Sequence, residues 1–156
     1  MLVVDLRDLH RGPVETVGKI PPEDPTWEGL GLDLDGPVEV HGRLQETGDE
    51  EFFWQATVSG RLRGACRRCL RDLTYPLEAR VGALLSADPD TAEDPDVYLL
   101  TAPVTRVDVR HVVREELAFA ASAFPLCRED CAGLCSRCGA DLNAGPCNCA
   151  APAEPN

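Results

Sequence analysis

Apolar and polar residues alternate through "PVEVHGRL" (37–44) and "FFWQATVSGRLRG" (52–64). Side chains on a strand point to opposite faces in turn, so a period of two predicts two half-buried strands. The acidic "QETGDEE" between them suits a hairpin turn. Alternation resumes in "LTYPLEARVGALLS" (73–86), a third strand. Pro76 is expected there at an edge or a bulge, because it has no N–H for the ladder. "MLVVDLRDL" predicts a first strand, and Val97–Leu100 a short one. The period then changes. In "VDVRHVVREELAFAASAF", Val109, Val112, Val113, Leu117 and Ala120 recur at helical spacing. This predicts a helix near 108–122, with Asp108 placed to cap it and Pro125 stopping it.

Three stretches break both periods. From Gly12 to Gly31, prolines 13, 21, 22 and 25 recur among glycines, which predicts a long surface excursion. "ADPDTAEDPD" reads as an acidic loop, and the tail 150–156 as disordered. "GACRRCL" interrupts the strand pattern and carries the first two cysteines.

Composition changes this picture in two ways. At 156 residues and 44% hydrophobic, the chain can bury one modest core, with at most a small appendage. No apolar run approaches the roughly 20 residues a bilayer needs, so no membrane partner is expected. The amino-terminal apolar stretch is too short for a secretory signal, and the expected compartment is the cytoplasm, where thiols stay reduced. Net charge is −12, against indiscriminate nucleic-acid binding, which draws most of its affinity from phosphate contacts. Locally the sign reverses: Arg61, Arg63, Arg67, Arg68 and Arg71 fall within eleven residues that contain no acid. They are the candidate contacts to RNA or to a partner protein. Asp88, Asp90, Glu93, Asp94 and Asp96 form an opposing acidic run.

The chemistry lies in eight cysteines, six of them between Cys127 and Cys149. Cys66 and Cys69 are two residues apart, as are Cys135 and Cys138; a tight turn at this spacing aims both sulfurs at one metal ion. Gly139 follows the second pair and supplies the freedom such a knuckle needs. Cys127 and Cys131 suit a turn, and Cys147 and Cys149 are tighter but usable. Eight cysteines make two four-thiolate sites with none left over. One partition joins Cys135, Cys138, Cys147 and Cys149 locally, and Cys66, Cys69, Cys127 and Cys131 across about sixty residues. The other exchanges Cys127 and Cys131 with Cys147 and Cys149.

All-sulfur tetrahedral coordination selects zinc or iron–sulfur, and zinc closes small folds that lack a core. A disulfide framework is disfavoured by a reducing compartment. A thioredoxin-like role for "CRRC" requires a βαβ setting, whereas its flanks read as strands. Catalytic zinc keeps a ligand position open; four thiolates per ion do not. His10, His41 and His111 lie in no metal spacing, and neither a phosphate loop nor a Ser/His/Asp arrangement is present. The sites are therefore expected to be structural and the protein not an enzyme, with no small-molecule substrate. Two such sites would take the formal charge to about −16, so Arg67, Arg68, Arg128 and Arg137, beside the ligands, have thiolates to compensate.

"CRRCL", followed by a helix and "FPLCREDCAGLCSRCGADLNAGPCNC", closely resembles the YceD family, the large ribosomal RNA subunit accumulation proteins of bacteria and plastids. The resemblance runs from about Asp33 to Cys149, and "GLC.RCG..LN" is its specific part. It implies a role in accumulation or processing of 23S ribosomal RNA and no established catalysis. Some relatives keep counterparts of Cys66 and Cys69 yet lack the last four cysteines, which implies that the local carboxyl-terminal site is an optional clip and favours the first partition.

The expected architecture is α+β: a mainly antiparallel β domain over 1–124 with one main helix, a zinc-bound, loop-rich cysteine segment over 125–149 packed on it, and the tail. The expected function is a non-catalytic ribosome-biogenesis factor holding two zinc ions on all-cysteine ligands. Its partners would be the large-subunit rRNA precursor, a ribosomal protein, or both. The alternative is a metal- or redox-responsive zinc-binding interaction module.

Overall fold

A computed structural model describes residues 1–121 and 124–149; the expected disorder of 150–156 falls outside the described residues. Among the described residues, seven strands and two α-helices follow in chain order: β1 (Val3–Asp5), α1 (Leu6–Leu9), β2 (Val14–Ile20), β3 (Val38–Gly48), β4 (Glu51–Ala65), β5 (Asp72–Ser86), β6 (Val97–Leu99), β7 (Arg106–Asp108) and α2 (Arg110–Ala120). The main sheet has the order β2-β3-β4-β5-β6, and β1 pairs separately with β7. The pairings β2–β3, β3–β4 and β1–β7 are antiparallel, while β5–β6 is parallel. The fold is thus α+β, a mainly antiparallel mixed sheet with one main helix.

The chain divides into two compact units. The first comprises Met1–Leu62 and Pro76–Ala121. Its core follows the alternation directly: Val38, Val40 and Leu44 of β3, and Phe52, Trp54, Ala56 and Val58 of β4, are buried. The indole N–H of the fully buried Trp54 donates to Thr16 Oγ1 at 2.8 Å, so the largest core side chain leaves no polar atom unpaired. On α2, Val112, Val113 and Leu117 are buried at the expected spacing. The N-cap is Val109, without a side-chain cap, and not Asp108 as expected; from one residue earlier, Asp108 Oδ1 accepts from the Arg110 N–H at 3.0 Å.

Two local readings change. β2 lies inside the stretch read as an excursion: Val14–Ile20 pair residue for residue with Leu44–Val38. Ladder pairing with a long neighbour outweighs the proline- and glycine-rich flanks, which carry no information about a partner strand. After three residues of β1 the chain also turns into the single helical turn α1, capped by Asp5, whose side chain accepts from the Arg7 N–H. Pro76 sits where expected: β6 covers β5 only at Leu84–Ser86, so Pro76 faces no ladder from that side.

The second unit comprises Arg63–Tyr75, where β4 ends and β5 begins, together with the described residues from 124 onward. It has little apolar material. Cys66, Cys69 and Cys131 are its buried cluster, with Leu73, Cys127 and Leu134 packed against them half-buried.

Candidate metal centres

Cysteine sulfurs cannot stack densely in a small unit without something to hold them, so their geometry is informative. In the second unit all eight cysteines are unbridged. Their sulfurs gather into two groups: Cys66, Cys69, Cys127 and Cys131 in one, Cys135, Cys138, Cys147 and Cys149 in the other. Within each group the four sulfurs lie within 4.8 Å of one another. The grouping is the first of the two partitions.

Each centre opens with the same knuckle. In the first, the Leu70 N–H donates to the Cys66 carbonyl at 2.9 Å; in the second, the Gly139 N–H donates to the Cys135 carbonyl at 2.8 Å. This turn directs amide N–H groups at the leading sulfur. The N–H groups of Cys69 and then Cys127 pull the Cys66 thiol down to about 6. Those of Cys138 and Arg137 do the same to Cys135, also to about 6. One later sulfur in each group goes the other way. Burial and then the sulfurs of Cys131 and Cys69 push Cys127 up to about 12. Cys138 and Cys135 push Cys149 up to about 11. Each group is therefore built to carry negative charge yet too crowded to carry four charges alone; a cation resolves that conflict.

Distances test the fit. A tetrahedron of thiolates about 2.3 Å from a central ion has sulfur–sulfur edges of about 3.8 Å. Cys66 Sγ and Cys131 Sγ are 3.8 Å apart, and Cys69 Sγ and Cys127 Sγ 3.7 Å. A disulfide would need about 2.05 Å. Donor type, number and spacing all suit a metal ion. The two centres differ in exposure: Cys66, Cys69 and Cys131 are buried, whereas in the second centre Cys138 is exposed and the other three are half-buried.

Side chains not read as functional in the sequence hold the first centre closed. Asn143, in the loop between Cys138 and Cys147, donates to Cys131 Sγ at 3.5 Å and to Asp141 Oδ1 at 2.7 Å. Its oxygen accepts from the Ala132 N–H and from Arg128, each at 2.8 Å. Burial raises the Cys131 thiol, but the Asn143 Nδ2 donor and then the Gly133 N–H bring it below its usual value. The loop of the second centre thus supports a ligand of the first. Its only sequence trace is the pair Leu142-Asn143 in the motif that carried the family resemblance. Gly133 is the second such element. It adopts φ +75°, and an added Cβ would stand 3.1 Å from the Arg68 carbonyl oxygen, which accepts the Leu134 N–H. Losing an outer-shell partner of a metal ligand costs roughly 10–100-fold in affinity. Asn143→Ala is expected to weaken metal binding at the first centre by about tenfold, toward the low end of that range, with the second unchanged. Competition against a chromogenic chelator, followed to the loss of each ion, measures it.

The arginines separate into different roles. Arg61 lies in the first unit, 3.6 Å from Asp35. Arg63, Arg67, Arg68 and Arg71 lie in the second. Arg68 donates to the carbonyls of Glu129 and Cys131, each at 3.0 Å, and ties the knuckle to the segment that supplies the other two ligands. Arg71 reaches Asp141 at 3.4 Å. Arg67 lays its guanidinium 4.7 Å above the centre of the Phe124 ring. Neither group includes a histidine: His10 faces Glu46, and His111 meets Tyr98 edge-on. No helix among the described residues is long and apolar enough to cross a membrane.

Fold and site define a β-rich protein with one main helix and two four-cysteine centres capable of holding metal ions. The chain belongs to the YceD family: the sequence model of the large ribosomal RNA subunit accumulation protein YceD matches residues 54–156, a span that includes every cysteine. The family is thus one of large-subunit ribosomal RNA accumulation, and its description names no reaction. Uncharacterized proteins of Mycobacterium tuberculosis and Mycobacterium bovis are 29% identical over 123 residues, covering 76% of this chain and 55% of theirs. The chain spans about half the length of these curated relatives. No solved structure matches it.

Proposed function

We propose that the chain is a non-catalytic ribosome-biogenesis factor of the cytoplasm. It supports accumulation and processing of 23S ribosomal RNA and assembly of the large subunit, and two zinc ions hold its second unit together. The observation that carries the metal part is closure. Each centre has four cysteine sulfurs around one point, which leaves no ligand position for water or substrate. In the first centre, edges of 3.7 and 3.8 Å suit one ion, whereas a multi-iron cluster spreads its thiolates over separate irons. Family membership carries the ribosomal part. The partner is the large-subunit rRNA precursor, together with the ribosomal proteins that join it, and no membrane or small-molecule substrate enters. Arg61, Arg63, Arg67, Arg68 and Arg71 supply the contact surface, with Arg68 and Arg71 also bracing the fold. The test has two halves. Elemental analysis with native mass spectrometry is expected to find two zinc ions per chain, and sedimentation of cell extract to find the protein with large-subunit precursors. Iron in place of zinc overturns the first half; absence from the particles overturns the second.

One observation favours a redox-responsive second reading, confined to the second centre: the exposed Cys138. Two thiolates can reduce hydrogen peroxide to water, closing a disulfide and releasing the ion. Micromolar peroxide is expected to release one ion per chain while the buried first centre keeps the other, and a thiol reductant with added zinc to restore it. A zinc-release dye records both steps. Equal release from both centres would count against selective sensing.

A further inference from the structure

The two knuckles, CRRCL and CSRCG, differ at two positions, and at the closing one the difference points outward. Gly139 closes the second knuckle at φ +71°. Leu70 closes the first at φ +59°, with the same hydrogen bond to the leading cysteine's carbonyl. Left-handed backbone is open to glycine and costly to a residue with a Cβ. Leu70 buries little of itself in return, being 65% exposed. A strained residue whose side chain stays mostly exposed calls for something outside it.

Its surroundings say what. Phe124 (66% exposed) and Leu126 (37%) are the other exposed large apolar residues of this unit. The Arg67 N–H donates to the Pro125 carbonyl at 3.0 Å, which sets that segment beside the knuckle. Arg67 itself stacks on Phe124. Around this apolar group, residues 63–75 carry four arginines against one acid, Asp72. Arg67, stacked on Phe124, presents like charge to a basic ribosomal protein. An RNA strand meets phosphate-binding arginines and, between them, an aromatic ring, a stacked guanidinium and an aliphatic wedge, the elements that hold unstacked bases. A duplex hides the base faces that such elements need.

We propose that the first knuckle is a binding site for single-stranded RNA, in which Leu70 and Phe124 contact base faces and Arg67 contacts the adjacent backbone. The proposal rests on the ribosomal reading above and goes further by naming the strandedness of the RNA and the residues that recognise it.

Leu70→Gly separates this role from a structural one. Glycine relieves the strain, so the variant is expected to keep both metal ions and to melt at the same temperature or roughly 2–4 °C higher. Its affinity for a fluorescein-labelled single-stranded RNA of mixed sequence, about 16 nucleotides long, is expected to fall about tenfold. Phe124→Ala is expected to lose a similar factor. In neither variant is the slope of log affinity against log salt expected to change, because no phosphate contact is removed. Wild-type protein is expected to bind the single strand at least tenfold tighter than the same sequence as a duplex. Unchanged RNA affinity in Leu70→Gly, equal binding of single strand and duplex, or loss of metal in Leu70→Gly would each overturn the proposal. If wild-type protein ignores the RNA yet sediments with large-subunit precursors, and Leu70→Gly releases it from them, the occupant is a protein: the proposal fails and the ribosomal reading stands. If wild-type protein does not sediment with those particles, the ribosomal reading fails on its own.

Discussion

Cys66→Ser is expected to leave one metal ion per chain instead of two and to unfold much of the second unit while the sheet core of the first persists. Structural zinc in small sites contributes about 10–16 kcal/mol of apparent binding free energy, which in such units is folding free energy. Little else is present to replace it. The unit's buried cluster consists of three ligands, Cys66, Cys69 and Cys131, with no buried aliphatic or aromatic residue beside them. Serine offers an oxygen at one vertex and leaves three crowded sulfurs around a weakened position. The first unit has its own core around Trp54, Leu44 and Val58. Hydrogen exchange read residue by residue is the decisive measurement. Amides of 126–149 are expected to lose protection, starting with those tied to the first centre, Leu134 and Ala132, and those of β3 to keep it. Two ions retained would mean that Cys66 is not a required ligand, and protection unchanged that the first centre does not hold the unit together.

Arg67→Glu is expected to lower affinity for ribosomal RNA roughly tenfold at moderate salt and to flatten the salt dependence by about one in slope. Its guanidinium lies against the Phe124 ring. Arg68 is unsuitable, because its guanidinium holds the carbonyls of Glu129 and Cys131; reversing it would loosen the first centre and confound folding with binding. Arg71 is similarly committed to Asp141. Fluorescence anisotropy across a salt series, with metal content checked in the variant, gives the answer. A wild-type affinity that does not change with salt would remove phosphate contact from the account.

Asp108 illustrates how local electrostatics follow from the same reading. Burial raises its carboxyl, but the Arg110 side chain and N–H outweigh that and hold it below the usual carboxylate range. A group whose folded value is depressed stabilises the fold above its unfolded value, near 3.9, and that contribution is lost as pH falls through the folded one. Acid sensitivity at the start of α2 is therefore confined to strongly acidic solution.

Much of this protein was legible in the residues themselves. The strands over 37–44, 52–64 and 73–86, the helix near 108–122 and the interrupting knuckle all announce themselves by local period, because a strand or helix with one buried face must repeat its apolar residues at that element's own spacing. So do the leading cysteine pairs, since two residues between thiols is a property of one turn. Pairing of elements was not legible. β2 looks like a loop until β3 lies beside it, because its ladder bonds come from another part of the chain. The partition of eight cysteines into two centres depended on which distant segments meet, as did the role of Asn143, which serves a ligand twelve residues away. The strain at Leu70 was equally hidden: the sequence alone determined that leucine stands where the second knuckle has glycine, but only the folded turn decided that its backbone must be left-handed and its side chain exposed.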